Sequence, residues 1–412
     1  MTTPSTIAPP PSHDTIDQAA GLAPGRSAYA VRHERDKVAT ATQACEEALF
    51  AGTLPGAFTP AERLAIAHDV ARVSGVPALA AHYRTRLETA GAPVPPALQA
   101  LLDDTGEASD VAGIPGFGDA EPRLQAAARF ARTLALEPAR SDRDALLALP
   151  AAGLSTPDAV LIAQLVGFVT YQLRVVAGVA ALDALHAPEA SGDPGTSTSA
   201  PFASDAPFVH PANLPPPGQP LRVAGYTSET LDWKAWLPVV DPQQASTEQQ
   251  AVLDLSHPKA RTSDFYLLLV HQPQVLSERS QAFNAIMYAP GGLNRAEREV
   301  ASTVVSRVNG CVYCASVHAQ RFEQLAKRND VMAQIFEDPD TAGTNPRERA
   351  IVQASAALTR TPGGFGPQHL APLRAAGLSD LEILDALHAA ALFAWANRLM
   401  LNLGEAVFPP AG

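Results

Sequence analysis

The feature that most constrains this chain is that part of it occurs twice. Residues 61–75, AERLAIAHDVARVSG, align without gaps to residues 296–310, AEREVASTVVSRVNG, with seven identities at a constant offset of 235. A second block follows at an offset of 224. In it Pro122-Arg123 matches Pro346-Arg347, Leu134 matches Leu358, Pro138 matches Pro362, the run Ala151 to Ser155 matches Ala375 to Ser379, and Arg174 matches Arg398. A repeat of this length implies two copies of one module. The offsets differ by 11, so the first copy carries extra residues between the blocks, and its Gly- and Asp-rich stretch around 103–119 is the natural place for them.

Proline marks where the copies end. Of 37 prolines in 412 residues, five fall in the first 24 residues and eleven between Pro188 and Pro242. Segments of small, polar and proline-rich composition cannot bury enough apolar surface to order themselves. The expected organisation is a disordered tail over 1–29, a first module over 30–186, a Pro/Ser-rich linker over 187–220 and a second module over 221–412. Within the modules, Pro60 to Leu87, Pro122 to Leu136, Asn294 to Arg307, Pro346 to Leu358 and Leu378 to Gly404 are rich in Ala, Leu, Glu and Arg, with apolar residues at three- and four-residue spacing. No run alternates with period two over a useful length. Thr59-Pro60-Ala61-Glu62, Ser155 to Asp158 and Ser379 to Glu382 read as helix starts. The predicted fold class is all-α: two tandem modules of five to seven helices each, forming a pseudo-dimer.

The formal charge of −12 argues against nucleic acid or an anionic membrane as the main partner. The first Lys or Arg is Arg26, so no secretory leader is expected and the chain is read as cytoplasmic. Ala159 to Leu182 is long and apolar, but Gln164, Gln172 and Arg174 mark it as a buried helix. Three cysteines, Cys45, Cys311 and Cys314, make no disulfide framework, and a lone CxxC in a reducing compartment points to redox chemistry or metal.

The chemistry is confined to the second copy. Asn309-Gly310 ends one helix, and Cys311 and Cys314 open the next, where free N–H groups and the dipole are expected to lower a thiol's pKa. Cys314 and His318 stand at i and i+4 on one helix face, so His318 is expected to exchange a proton with Cys314, and Cys311 is placed to close a disulfide on an oxidised Cys314. If the two helices form an antiparallel hairpin, Glu299 and His318 lie opposite each other, at arms of roughly 15 and 12 Å from the turn. Such a carboxylate would orient the ring. Glu297 is off that face and suits a first-turn role.

Glu299, Cys311, Cys314 and His318 together reproduce the E-x11-C-x2-C-x3-H pattern, and here the chain resembles the AhpD-like alkylhydroperoxidases of the carboxymuconolactone decarboxylase superfamily. The resemblance implies a helical module that assembles into homo-oligomers and reduces organic hydroperoxides with electrons from an external dithiol, such as a lipoyl-bearing or thioredoxin-like protein. It implies Cys314 as the peroxide-attacking thiol, Cys311 as the resolving thiol, and Glu299 with His318 as the proton relay; no cofactor and no metal are expected. Some members carry a further His between the cysteines, where Tyr313 stands in this chain.

At the same positions the first copy has Leu64, Val76, Leu79 and Tyr83, which reads as a catalytically dead module. His68 and His82, nearby, are read as structural, and Cys45 as an inert buried thiol. Zinc is the rival for the cysteines, but one helix turn supplies three ligands where a structural site needs four. Trp233 and Trp236 are read as anchoring the end of the linker, and the Arg174/Arg398 match as structural or interfacial, with substrate binding as the lesser alternative. The function expected is thiol-dependent alkylhydroperoxide reduction; the alternatives are a lyase of the decarboxylase type and a non-catalytic redox-sensing module.

Overall fold

The computed structural model describes residues 14–90, 93–106, 111, 113–186, 220–221 and 225–409. Nine helices make up the first half: α1 (Thr15–Ala20), α2 (Ser27–His33), α3 (Asp36–Phe50), α4 (Pro60–Val73), α5 (Pro77–Thr89), α6 (Pro96–Asp103), α7 (Pro122–Leu136), α8 (Arg143–Ala151) and α9 (Thr156–Leu185). The second half opens with short strands β1 (Pro220–Leu221) and β2 (Asp232–Ala235). Nine helices follow: α10 (Thr247–Ser256), α11 (Asp264–Leu269), α12 (Pro273–Met287), α13 (Arg295–Asn309), α14 (Val312–Ala326), α15 (Asp330–Glu337), α16 (Pro346–Arg360), α17 (Pro367–Ala375) and α18 (Asp380–Asn402). Strand β3 (Gly404–Val407) comes after α18.

The repeat is visible helix by helix. The starts of α4 and α13 differ by 235, as do those of α5 and α14, while α7, α8 and α9 begin 224 residues before α16, α17 and α18. The offset therefore changes in the longer loop between α6 and α7, where the extra residues were expected. The identities have structural causes. Glu62 pairs with Arg123 at 2.7 Å and Glu297 with Arg347 at 2.5 Å, one ion pair built in each copy from the matched positions. Arg63 and Arg298 are buried and each donates to carbonyls at the end of the preceding helix, Leu49 and Ala51 in one copy and Met287 and Ala289 in the other. Gly75 and Gly310 both end a helix in the left-handed region, at φ 77° and 82°, which a Cβ would disfavour. The capping boxes at Thr59/Glu62, Ser155/Asp158 and Ser379/Glu382 all form.

The two halves pack through equivalent helices, α9 on α18 and α3 on α12, which defines a pseudo-two-fold axis. Arg174 on α9 reaches across to the Thr359 carbonyl at 2.8 Å, and its counterpart Arg398 on α18 reaches back to the Ala135 carbonyl at 2.6 Å. Ala135 and Thr359 are themselves 224 residues apart, so one contact is made twice, once in each direction. The interfacial reading of these arginines therefore holds. On the same seam Trp395 donates to Gln164 at 2.9 Å, and Arg35 holds Asp385 through two hydrogen bonds of 2.8 and 2.6 Å. Helix α9 is long and apolar enough to cross a membrane, but it is buried in this core, against α18, α4, α7 and α17.

Three expectations need correction. Residues 14–29 do not form a disordered tail: α1 and the start of α2 occupy them, and the first module begins well before Ala30. Six- and seven-residue helices are too short to show a period. They are held by tertiary ion pairs, Arg32 donating at 2.9 Å to both Asp14 and Asp17. For the same reason each half has nine helices among the described residues rather than five to seven. Finally, β1, β3 and β2 form a small antiparallel sheet, β3 in the middle, in which Trp233 pairs with Ala406. Strands of two to four residues leave no readable alternation. Trp233 is buried there and donates to the Met400 carbonyl at 2.9 Å, consistent with an anchor. Residues 1–13 and 187–219, the rest of the expected tail and nearly all of the linker, lie outside the described residues.

Candidate active site

The hairpin inferred from spacing is formed. Helix α13 ends at Gly310, Cys311 sits at the N-cap of α14, and the two helices pack side by side. Asn294 caps α13 by accepting from the Glu297 N–H at 3.0 Å, so Glu297 takes the first-turn place expected of it. Glu299, one turn into α13 and fully buried, accepts a hydrogen bond from His318 Nδ1 through one carboxylate oxygen and from Arg295 Nε through the other. The imidazole stands edge-on to Phe393, with centroids 4.2 Å apart. Burial pushes the Glu299 carboxyl up, but the facing His318 and Arg295 outweigh it and hold the group below its ordinary value. The carboxylate therefore stays charged and fixes which ring nitrogen bears the proton.

Cys311 and Cys314 are free thiols, 1% and 4% exposed. The expected lowering of the Cys314 pKa is not what the surroundings produce. Burial pushes this thiol well above its ordinary value and the neighbouring Cys311 adds to the shift, while Asn397 and the Arg279 guanidinium oppose it. Desolvation of a charge on a buried residue outweighs the dipole at the helix start, although Cys314 lies in the first turn. The structure also separates two pairs that the spacing had joined. Glu299 meets His318, and Cys311 meets Cys314, but His318 makes no direct hydrogen bond to Cys314 among the described residues.

Two nearby residues were not assigned to the site from sequence. Asn397, fully buried on α18, neighbours the Cys314 thiol while accepting from Asn309 at 3.1 Å and donating to Ser306 at 3.0 Å. Arg279 on α12 is buried between the Phe265 and Trp395 rings, 5.4 and 5.5 Å from their centroids, and acts electrostatically on both Cys314 and Cys45. Neither has a fixed sequence distance to the CxxC, so only the packing of α12 and α18 reveals them. Tyr313, between the cysteines, is raised to about 12, first by burial and then by Cys314. Among the described residues no three His, Cys, Asp or Glu side chains stand where they could share a metal ion.

In the first module the equivalent positions are packed shut. Leu64, Val76, Leu79 and Tyr83 are all buried, and the Tyr83 hydroxyl donates to Gln172. His82 contacts the buried Glu46 at 3.2 Å and His68 contacts the Ala80 carbonyl at 2.9 Å. Cys45 is 1% exposed, and burial raises its thiol pKa.

Residues 273–357, from the start of α12 into α16, match the family model described as the carboxymuconolactone decarboxylase family. This stretch is similar to that family. The matched stretch contains Glu299, both site cysteines and His318, while Asn397 lies beyond it on α18. Among solved structures, the chain is similar to a protein of Ralstonia eutropha JMP134 described as an alkylhydroperoxidase AhpD core and uncharacterized peroxidase-related protein. The identity is 24%, over 39% of this chain and 86% of that one, at a TM-score of 0.36. No curated protein matches the sequence.

Proposed function

We propose that the second module is a thiol peroxidase acting on organic hydroperoxides. The observation that supports this reading best is the buried Glu299–His318 pair on the hairpin that also carries Cys311 and Cys314, within the stretch similar to the carboxymuconolactone decarboxylase family. His318, oriented by Glu299, takes the Cys314 proton, directly or through a water. The thiolate attacks the outer peroxide oxygen, the O–O bond breaks, and the alkoxide takes the proton back from His318 and leaves as the alcohol. Cys314 is then a sulfenic acid. The Cys311 thiol displaces its hydroxyl, forming a disulfide and releasing water. An external dithiol of lipoyl or thioredoxin type returns two electrons and two protons by disulfide exchange. The reducing compartment this requires suits a protein whose three cysteines are all free.

The test is consumption of cumene hydroperoxide by the purified chain with dithiothreitol as reductant. Cys314→Ser should reduce turnover by at least about 10³-fold with the helical circular dichroism unchanged. A variant that turns over at the native rate defeats this reading. The family name raises a second one, a lyase that does not use its thiols, which predicts that peroxide leaves the thiol count unchanged.

A further inference from the structure

A cavity of about 660 Å³ lies on the pseudo-two-fold axis, distinct from the four residues of the chemistry just described although Asn309 lines it. Its walls come in matched pairs: the loop after α7 and the loop after α16, the ends of α4 and α13, and Arg174 with Arg398. None of Glu299, Cys311, Cys314 or His318 lines it.

The two arginines are unusual in what they lack. They are 4% and 1% exposed, yet among the described residues neither is paired with a carboxylate. Arg174 donates to the Thr170 and Thr359 carbonyls and Arg398 to those of Ala394 and Ala135, all of them neutral acceptors. A guanidinium has five N–H groups, so each arginine keeps donors in hand, and the Nε of each is buried without a partner. Glu137 is the one carboxylate lining the cavity, and Arg140 already holds it at 2.8 and 2.9 Å. Arg360, the remaining cation, is held by Asp340. Of the four guanidinium groups, Arg140 and Arg360 are thus each answered by a carboxylate, while Arg174 and Arg398 have none among the described residues.

An arginine cannot shed its proton at neutral pH to relieve burial, and a buried ion without a counter-charge is unfavourable. Burial lowers Arg174 to about 10, and Arg398 is also depressed, first by burial and then by Arg174 itself. The site therefore has a deficit of negative charge, free donors around it and volume to fill.

We propose that this cavity binds a small doubly charged oxyanion, of phosphate or dicarboxylate chemistry, held on the pseudo-axis by the free N–H groups of Arg174 and Arg398. Planar guanidinium forks match the oxygen spacing of both anion types. One anion bound to both arginines would also bridge the modules, because each arginine comes from a different copy.

The test uses the full chain and two probes, inorganic phosphate and succinate, at pH 8, where both are dianions, and at ionic strength held constant with sodium chloride. At least one probe should raise the melting temperature saturably and titrate calorimetrically at one site per chain; which one does so identifies the anion class. Arg174→Met and Arg398→Met should each weaken that binding by about tenfold or more, whereas Arg261→Gln, on the exposed surface, should not. If neither probe gives saturable binding to the native chain, the proposal fails, even if the methionine variants do not fold. It also fails if folded Arg174→Met and Arg398→Met bind as tightly as the native chain.

Discussion

The hairpins α4–α5 and α13–α14 are the same structural unit put to different uses. Both keep the buried arginine that ties down the preceding helix, the ion pair to the helix that starts Pro-Arg, and the left-handed glycine at the turn. They differ where the side chains meet inside. Glu299 faces His318 in the second, while Leu64 and Tyr83 stand at the same places in the first, with the Tyr83 hydroxyl turned to Gln172 on α9. Scaffold and chemistry are therefore separable in this fold. The residues that build the hairpin lie at its ends and outer edge, and those that could react lie along its inner seam, so the seam can become apolar without loss of the hairpin.

This separation can be tested from the strongest effect down. Glu299→Leu, which installs the first module's residue in the second, should lower kcat/KM for peroxide by about 10²- to 10⁴-fold by releasing His318, with the helix content retained. If activity survives, the carboxylate is only scaffold and the contrast between the hairpins disappears. Next comes pH. Because burial holds the Cys314 thiol above its ordinary value, the protonated form dominates at neutral pH, and the thiolate fraction rises as pH approaches the thiol pKa from below. The first-turnover rate, followed by stopped-flow at limiting peroxide, should therefore rise by about tenfold per pH unit between pH 7 and 9. A flat profile would mean that the thiol is already ionised. The smallest effect is expected at Cys45: Cys45→Ala should leave peroxide turnover unchanged and cost about 1 kcal/mol in denaturant unfolding, as the loss of one buried sulfur. A drop in turnover would draw the first module into the chemistry.

Much of this was legible in the sequence because it is local. Helix starts were written in Ser155 with Asp158 and Ser379 with Glu382, and the hairpin followed from Asn309-Gly310 between two periodic stretches. The meeting of Glu299 and His318 was legible too, since two arms of known rise joined by a tight turn fix which residues face each other. What escaped depends on residues far apart in the chain. Helices α1 and α2 rest on Arg32 between Asp14 and Asp17, and the sheet rests on the C-terminal strand β3 returning to β2. Asn397 and Arg279 reach the thiol from helices at opposite ends of the second half. The direction of the Cys314 shift escaped for a similar reason: the helix-start rule sees the backbone dipole but not the α12 and α18 side chains that exclude water.

The reciprocal Arg174 and Arg398 contacts are ones that a dimer of identical chains would make through a single gene position. Here they belong to two codons of one polypeptide, so the seam between the halves is not diluted apart at low protein concentration and needs no second chain to find it. Each side of the seam can also mutate without the other. A self-associating pair has to accept every change twice, including any change in its reactive groups, whereas a covalent pair can lose chemistry in one half and keep it in the other.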